Sequence, residues 1–205
     1  MIVIVDYKTG NIGSIQNMLK KIGHPSIISN EVESIKAAKK LILPGVGSFD
    51  YGMRKLRELN LLDALNERVL TDKIPILGIC LGAQLCCMSS EEGTEQGLGW
   101  VDATVKKFST QKENKKYFVP HMGWDHVQPL KESKLFIELE SEARFYFVHS
   151  YSIHCANQQD VLTRNSYSFT YDSAFEKGNI IGVQFHPEKS HKFGKHLLRN
   201  FIENY

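Results

Sequence analysis

Residues 78–84, GICLGAQ, hold one reactive side chain, Cys80, with a glycine two positions to either side, where an apolar run gives way to helical spacing. G-x-C-x-G at a strand-to-helix junction has the shape of a nucleophile elbow with cysteine in the serine position. Such a turn is sharp and strained. It needs Gly78 and Gly82 for close backbone approach, and it exposes the middle side chain. The free amides and dipole of the following helix stabilise a thiolate, and the same amides can hold an oxyanion. Taken alone, Cys80 also fits a small buried residue at a strand end.

A thiolate needs a base or an ion-pair partner, and GVQFHPEKS supplies both parts of one: His186 closes an apolar strand and Glu188 follows two residues later. Pro187 fixes the backbone between them. Glu188 can then accept from one ring nitrogen and aim the other at Cys80, which makes a Cys80, His186, Glu188 triad. Alone, the H-P-E would be a surface turn. Pro44-Gly45-Val46-Gly47 directly follows the third strand, and its glycines permit a backbone flip that aims an amide at a developing oxyanion. Cys86 and Cys87 fall in the helix after the elbow and are expected to pack there. His154 and Cys155 are neighbours on a strand and point to opposite faces, so no metal site is expected.

These groups need a scaffold that gathers strand ends. Ile2–Val5 reads as a strand, and Ile12, Ile15, Leu19 and Ile22 recur at helical spacing after the Thr9-Gly10-Asn11 turn. A second strand over 26–29, a short helix near 32–38 and a third strand over 40–43 follow. An amphipathic region over 53–70 then leads to a strand at 75–80. Strands alternating with helices imply parallel pairing through right-handed crossovers. The second half changes rhythm: strand-like runs at 101–108, 117–119, 145–153 and 180–185 are separated by polar or glycine-containing turns, and a last helix covers about 192–203. The fold expected is α/β: a doubly wound, mostly parallel central sheet with helices on both faces and an antiparallel extension, in a single domain over residues 1–205.

Composition narrows the partners. The 205 residues are 42% hydrophobic and 23% charged, with a net charge of +2, so a sizeable core is available and no nucleic-acid footprint stands out. Lys106, Lys107, Lys112, Lys115 and Lys116 form one local cluster that reads as a solvated loop. The first residues run straight into an apolar strand without a basic leader, no segment reaches the ~20 apolar residues of a membrane span, and four cysteines show no disulfide spacing. A cytoplasmic chain is expected.

The elements DYKTGNIGS, LILPGVGSFDYGM, GICLGAQL, VPHMGW, YFVHSY and GVQFHPEKS, in this order along nearly the whole chain, resemble the class I triad-type glutamine amidotransferases. Within that class the likeness is greatest to the glutaminase subunits of imidazole glycerol phosphate synthase. The resemblance implies that Cys80 attacks the side-chain amide of glutamine, that His186 moves the proton and that Glu188 orients it. It makes the amides of Leu81 and Val46 the oxyanion hole, and gives Gly45, Gln84 and the backbone around His149, Ser150 and Tyr151 the amino-acid end of the substrate. No cofactor and no metal are implied. The implied partner is a (β/α)8-barrel cyclase subunit that receives ammonia for histidine biosynthesis, with Asn11, Trp124, Tyr146 and Lys189 facing it. The family usually has asparagine after H-M-G-W, whereas this chain has Asp125. A carboxylate on the partner face would alter what can pair there, so a paralogous subunit supplying ammonia for surface-sugar amidation is the alternative. Two other readings compete. Cysteine hydrolases or chaperones of the PfpI and DJ-1 type place histidine after the cysteine, where Leu81 stands here. A nucleotide module on Gly10–Gly13 lacks G-x-G-x-x-G and a P-loop lysine.

Overall fold

The computed structural model describes residues 1–112 and 115–205, and the side chains of all of these except 111, 112 and 115. Lys112 and Lys115 of the lysine cluster thus lie outside the described side chains, while Lys106, Lys107 and Lys116 are exposed.

The first half alternates as its apolar runs require: β1 (Ile2–Val5), α1 (Ile12–Lys21), β2 (Ser26–Ser29), α2 (Val32–Lys36), β3 (Lys40–Gly45), α3 (Phe49–Glu58), α4 (Leu62–Asn66), β4 (Ile76–Cys80) and α5 (Leu81–Leu85). The amphipathic region is not continuous. Asn60 adopts φ 57° between α3 and α4, and a π-turn over Glu67–Thr71 follows, so the apolar face is carried by short segments.

The second half contains β5 (Ser89–Ser90), β6 (Ala103–Lys107), β7 (Gln111–Lys112), β8 (Lys115–Lys116), β9 (His121–His126), β10 (Arg144–His149), β11 (Tyr151–Cys155), β12 (Val161–Ser166), β13 (Thr170–Lys177), β14 (Ile180–Val183) and α6 (His191–Asn204). The main sheet runs β2-β1-β3-β4-β14-β13-β11-β6-β5, with β12 added to β13. From β2 to β14 the pairing is parallel, and β13, β11, β6 and β12 extend it antiparallel.

Alternate residues of one strand feed two cores. Val3 and Val5 pack with Leu41, Phe49, Leu56, Leu65 and Leu81 on one face. Ile2 and Ile4 pack with Ile15, Leu19, Ile181, Leu197 and Phe201 on the other. Helices α2–α5 therefore cover one side, α1 and α6 the other, and burial on both faces explains why the parallel strands read as unbroken apolar runs.

Two expectations for the second half fail. The run at 145–153 is two strands: it breaks at Ser150, so β10 pairs with β9 in a separate ribbon while β11 stays in the main sheet. Residues 117–119 form no strand. Strands β9, β12 and β13 escape the apolar pattern because they bury polar groups that satisfy each other, as Thr163 Oγ1 and Ser173 Oγ do at 2.7 Å.

Candidate active site

Three neighbouring parallel strands deliver their C-terminal ends to one place, the position where open α/β sheets bind ligands. Gly45 pairs in register with Cys80, and Val183 lies beside Ile79, so residues 184–186 run past the elbow. Cys80 has φ 53° and ψ −109°, a conformation a non-glycine residue holds at a cost of about 1–3 kcal/mol. The glycines around it are sterically forced. A Cβ on Gly82 would lie 1.7 Å from the Leu43 carbonyl oxygen, and one on Gly78 would lie 2.7 Å from the Ala83 Cα.

His186 Nδ1 meets Glu188 Oε1 at 2.8 Å, and both side chains are buried. Burial alone would lower the imidazole pKa, but the Cys80 sulfur and the Glu188 carboxylate together hold it up to about 10. The ring is therefore an imidazolium. Its Nε2 is buried, and the Cys80 sulfur does more than the Glu188 carboxylate to hold the ring protonated. An imidazolium beside a sulfur can give its proton to a group leaving there.

A concavity of about 370 Å3 opens on Cys80. Its walls include Val46, Gly47, Leu81, Gln84, and His149, Ser150 and Tyr151, so the residues expected at the oxyanion hole and at the substrate's amino-acid end share one cavity with the sulfur. Gly45 lies just behind, where a Cβ would come 2.1 Å from the Tyr7 hydroxyl. The His149 ring is a structural member of the wall: Nδ1 lies 2.7 Å from the Tyr151 carbonyl, and burial depresses its pKa to about 3, so it is neutral and Nδ1 carries the proton. A larger concavity of about 600 Å3, lined by Lys131, Ser133, Glu176 and Tyr205, contains none of these groups, and its polar atoms bond one another.

Two residues of the site were passed over in the sequence. Glu92 brings a carboxylate into the cavity wall, with Oε2 accepting from the Phe49 amide at 2.8 Å, and burial raises its pKa. Gln184 is fully buried between Gln84 and Cys80. A glutamate in a loop and a glutamine two residues before His186 carry no spacing signal of their own. Cys86 and Cys87 lie past the end of α5 rather than inside it. They are buried, donate to carbonyls four residues back, and have thiol pKa values pushed up by burial. Among the described residues no His, Cys, Asp or Glu cluster could hold a metal.

Beside the cavity, Trp124 is 45% exposed rather than in the core, stacks on His191 at 5.4 Å and meets Tyr146 edge-on at 6.1 Å. Lys189 lies over the Tyr146 ring, and exposed Asn11 stands at the start of α1 without a side-chain cap. Asp125 departs from the expected partner face. In β9 the exposed side chains are Met122, Trp124 and His126, and Asp125 alternates to the other side, where Oδ2 accepts from Asn165 Nδ2 at 2.9 Å. The carboxylate is thus engaged within the chain. The ribbon is tied to the triad by its backbone: the His186 amide donates to the Tyr146 carbonyl at 2.9 Å, and Ser190 Oγ bridges Tyr146 N and the His186 carbonyl.

The family model "Glutamine amidotransferase class-I" matches residues 3–205. A relative from Methanococcus maripaludis, "Imidazole glycerol phosphate synthase subunit HisH 2", is 52% identical, with 99% of each chain covered. One of the same name from Pseudomonas aeruginosa is 46% identical, again over 99% of each. Among solved structures, a glutamine amidotransferase superposes with a TM-score of 0.76 at 20% identity over 99% of this chain and 98% of that one. A glutamine amidotransferase from Thermotoga maritima gives 0.66 at 17% identity, over 98% and 96%. No helix among the described residues is long and apolar enough to cross a membrane.

Proposed function

Since the chain belongs to the class-I glutamine amidotransferase family, we propose that it is the glutaminase subunit of an imidazole glycerol phosphate synthase. The observation that carries this reading is that Cys80 opens on a cavity walled by Val46, Leu81 and Gln84 while the buried His186–Glu188 pair lies beside its sulfur. The names of the full-length relatives supply the acceptor.

Cys80 sulfur attacks the carboxamide carbon of glutamine, and the oxyanion that forms is held by the Leu81 and Val46 amides, the second after a flip of the strand end. As the tetrahedral adduct collapses, the C–N bond breaks and His186 gives its Nε2 proton to the departing nitrogen, which releases ammonia and leaves a γ-glutamyl thioester. Water then attacks the thioester, losing a proton to His186, and the C–S bond breaks to give glutamate and the free thiolate. Glu188 fixes the ring's orientation and charge throughout. In the cavity, Glu92 and the free carboxamide oxygen of Gln84 accept from the substrate's α-ammonium group, and the backbone at 149–151 holds its carboxylate end. Ammonia passes to a (β/α)8-barrel cyclase docked over Asn11, Trp124, Tyr146 and Lys189, which makes imidazole glycerol phosphate and an aminoimidazole carboxamide ribotide.

The test is synthesis by the reconstituted pair of subunits, driven by glutamine or by ammonium salt. Cys80→Ala should abolish the first and spare the second, and Glu92→Gln should raise KM for glutamine about tenfold or more without touching the ammonium reaction. Loss of both reactions in Cys80→Ala would make the cysteine structural. Failure of the chain to pair with a histidine-pathway cyclase would move the acceptor to surface-sugar amidation.

A further inference from the structure

Behind the nucleophile runs a chain of carboxamides whose direction is fixed by its far end. The Tyr151 carbonyl oxygen can only accept. It receives His149 Nδ1 at 2.7 Å and one amide group of Gln84 at 3.1 Å, so that group is the Gln84 NH2. The same NH2 lies 3.0 Å from Gln184, which must present its oxygen there. The nitrogen of Gln184 is then the group turned toward Cys80 Sγ, at 3.7 Å. Gln184 is fully buried just past the end of β14, and its backbone N–H donates to the Ser173 carbonyl, so its carboxamide is held by protein groups alone.

We propose that Gln184 is a positioning residue for the nucleophile: locked by Gln84 and the Tyr151 carbonyl, its NH2 group donates to the Cys80 sulfur and favours the thiolate in the geometry of attack. A donor aimed at an ionised sulfur stabilises it relative to the thiol, which is a poorer acceptor. Gln84 thereby acts in two places, on the cavity wall and as the clamp that keeps Gln184 from turning its oxygen to the sulfur. The inference rests on the proposed role of Cys80 and adds a residue to its activation.

The other titratable groups described around the sulfur include His186 with Glu188 behind it after β14, Tyr7 after β1, and Glu92, His149 and Tyr151 in the cavity wall. All are retained when Gln184 alone is changed. The experiment is iodoacetamide labelling of Cys80 in the full chain across pH, with the modified peptide identified by mass. Gln184→Met keeps the volume without the donor, and should move the midpoint of the labelling profile up by about one pH unit. Gln184→Glu offers only acceptors once ionised, and in that form should move it further in the same direction. A Gln184→Met profile that overlays the wild-type one, or a Gln184→Glu profile shifted downward, overturns the proposal. The assay reads the sulfur and not turnover. A wild-type chain that labels as expected but releases no ammonia from glutamine would therefore defeat the glutaminase reading and leave Gln184 in place.

Discussion

His186 carries a positive charge in a buried site because the Cys80 sulfur and the Glu188 carboxylate together outweigh the loss of solvent. Its pKa is raised from the ordinary imidazole value, ~6.5, to about 10. The stability this charge contributes is therefore complete below the lower value and is lost as pH rises through the upper one. Removing Cys80 leaves burial opposed by Glu188 alone. In Cys80→Ala, the NMR titration of the His186 ring should therefore fall by about a unit or more. An unmoved midpoint would mean that Glu188 by itself sustains the charge. At this scale the sequence was informative where residue type and spacing are rare: Cys80 between two glycines, and histidine and glutamate around a proline. It was uninformative for Glu92 and Gln184, whose roles arise only when separate segments meet around one cavity.

The elbow and the Gly45–Val46 strand end are adjacent elements packed too closely for a methyl group. Gly45 sits where a Cβ would strike the Tyr7 hydroxyl at 2.1 Å and the Leu81 Cβ at 2.9 Å, and that hydroxyl is buried without a hydrogen-bond partner among the described residues. Gly45→Ala should destabilise the chain by roughly 1–3 kcal/mol. Tyr7→Phe, which removes an unsatisfied group, should be close to neutral. Together they should cost less than their sum, with a coupling on the order of 1 kcal/mol read from urea unfolding. Strict additivity would show that Leu81, not Tyr7, sets the close approach. The parallel strands were readable because both of their faces are apolar. The strands β12 and β13 were not, since Thr163, Ser173 and Asp172 bury polar atoms that only their cross-strand partners explain. The boundary between β10 and β11 at Ser150 was hidden because the apolar alternation runs through it.

Across the molecule, the face expected to meet the cyclase lies on the ribbon and on the turn after β14, next to the cavity. Trp124 is its largest exposed ring, backed by His191 and Tyr146. Trp124→Ala should weaken cyclase binding by about 2 kcal/mol, roughly thirtyfold in Kd by calorimetric titration, while the isolated chain unfolds within ~0.5 kcal/mol of wild type. An unchanged Kd would place the docking face elsewhere. Asp125 shows how far the family pattern can be read without coordinates: its identity was plain, but its direction, inward to Asn165, depended on a strand the sequence did not reveal.

The ribbon of β9 and β10 stands outside the main sheet and meets the triad through the backbone of Tyr146. In evolutionary terms it is a separable module. A lineage can rewrite the exposed side chains of the ribbon by drift without disturbing the strand ends that hold Cys80, provided it keeps the buried Phe145, Phe147 and His149 and a main-chain tether that any residue at position 146 except proline can supply. After gene duplication, a copy could thus change acceptor first and keep its glutamine chemistry unaltered. That order of events would leave relatives with closely matching cavities and divergent ribbons.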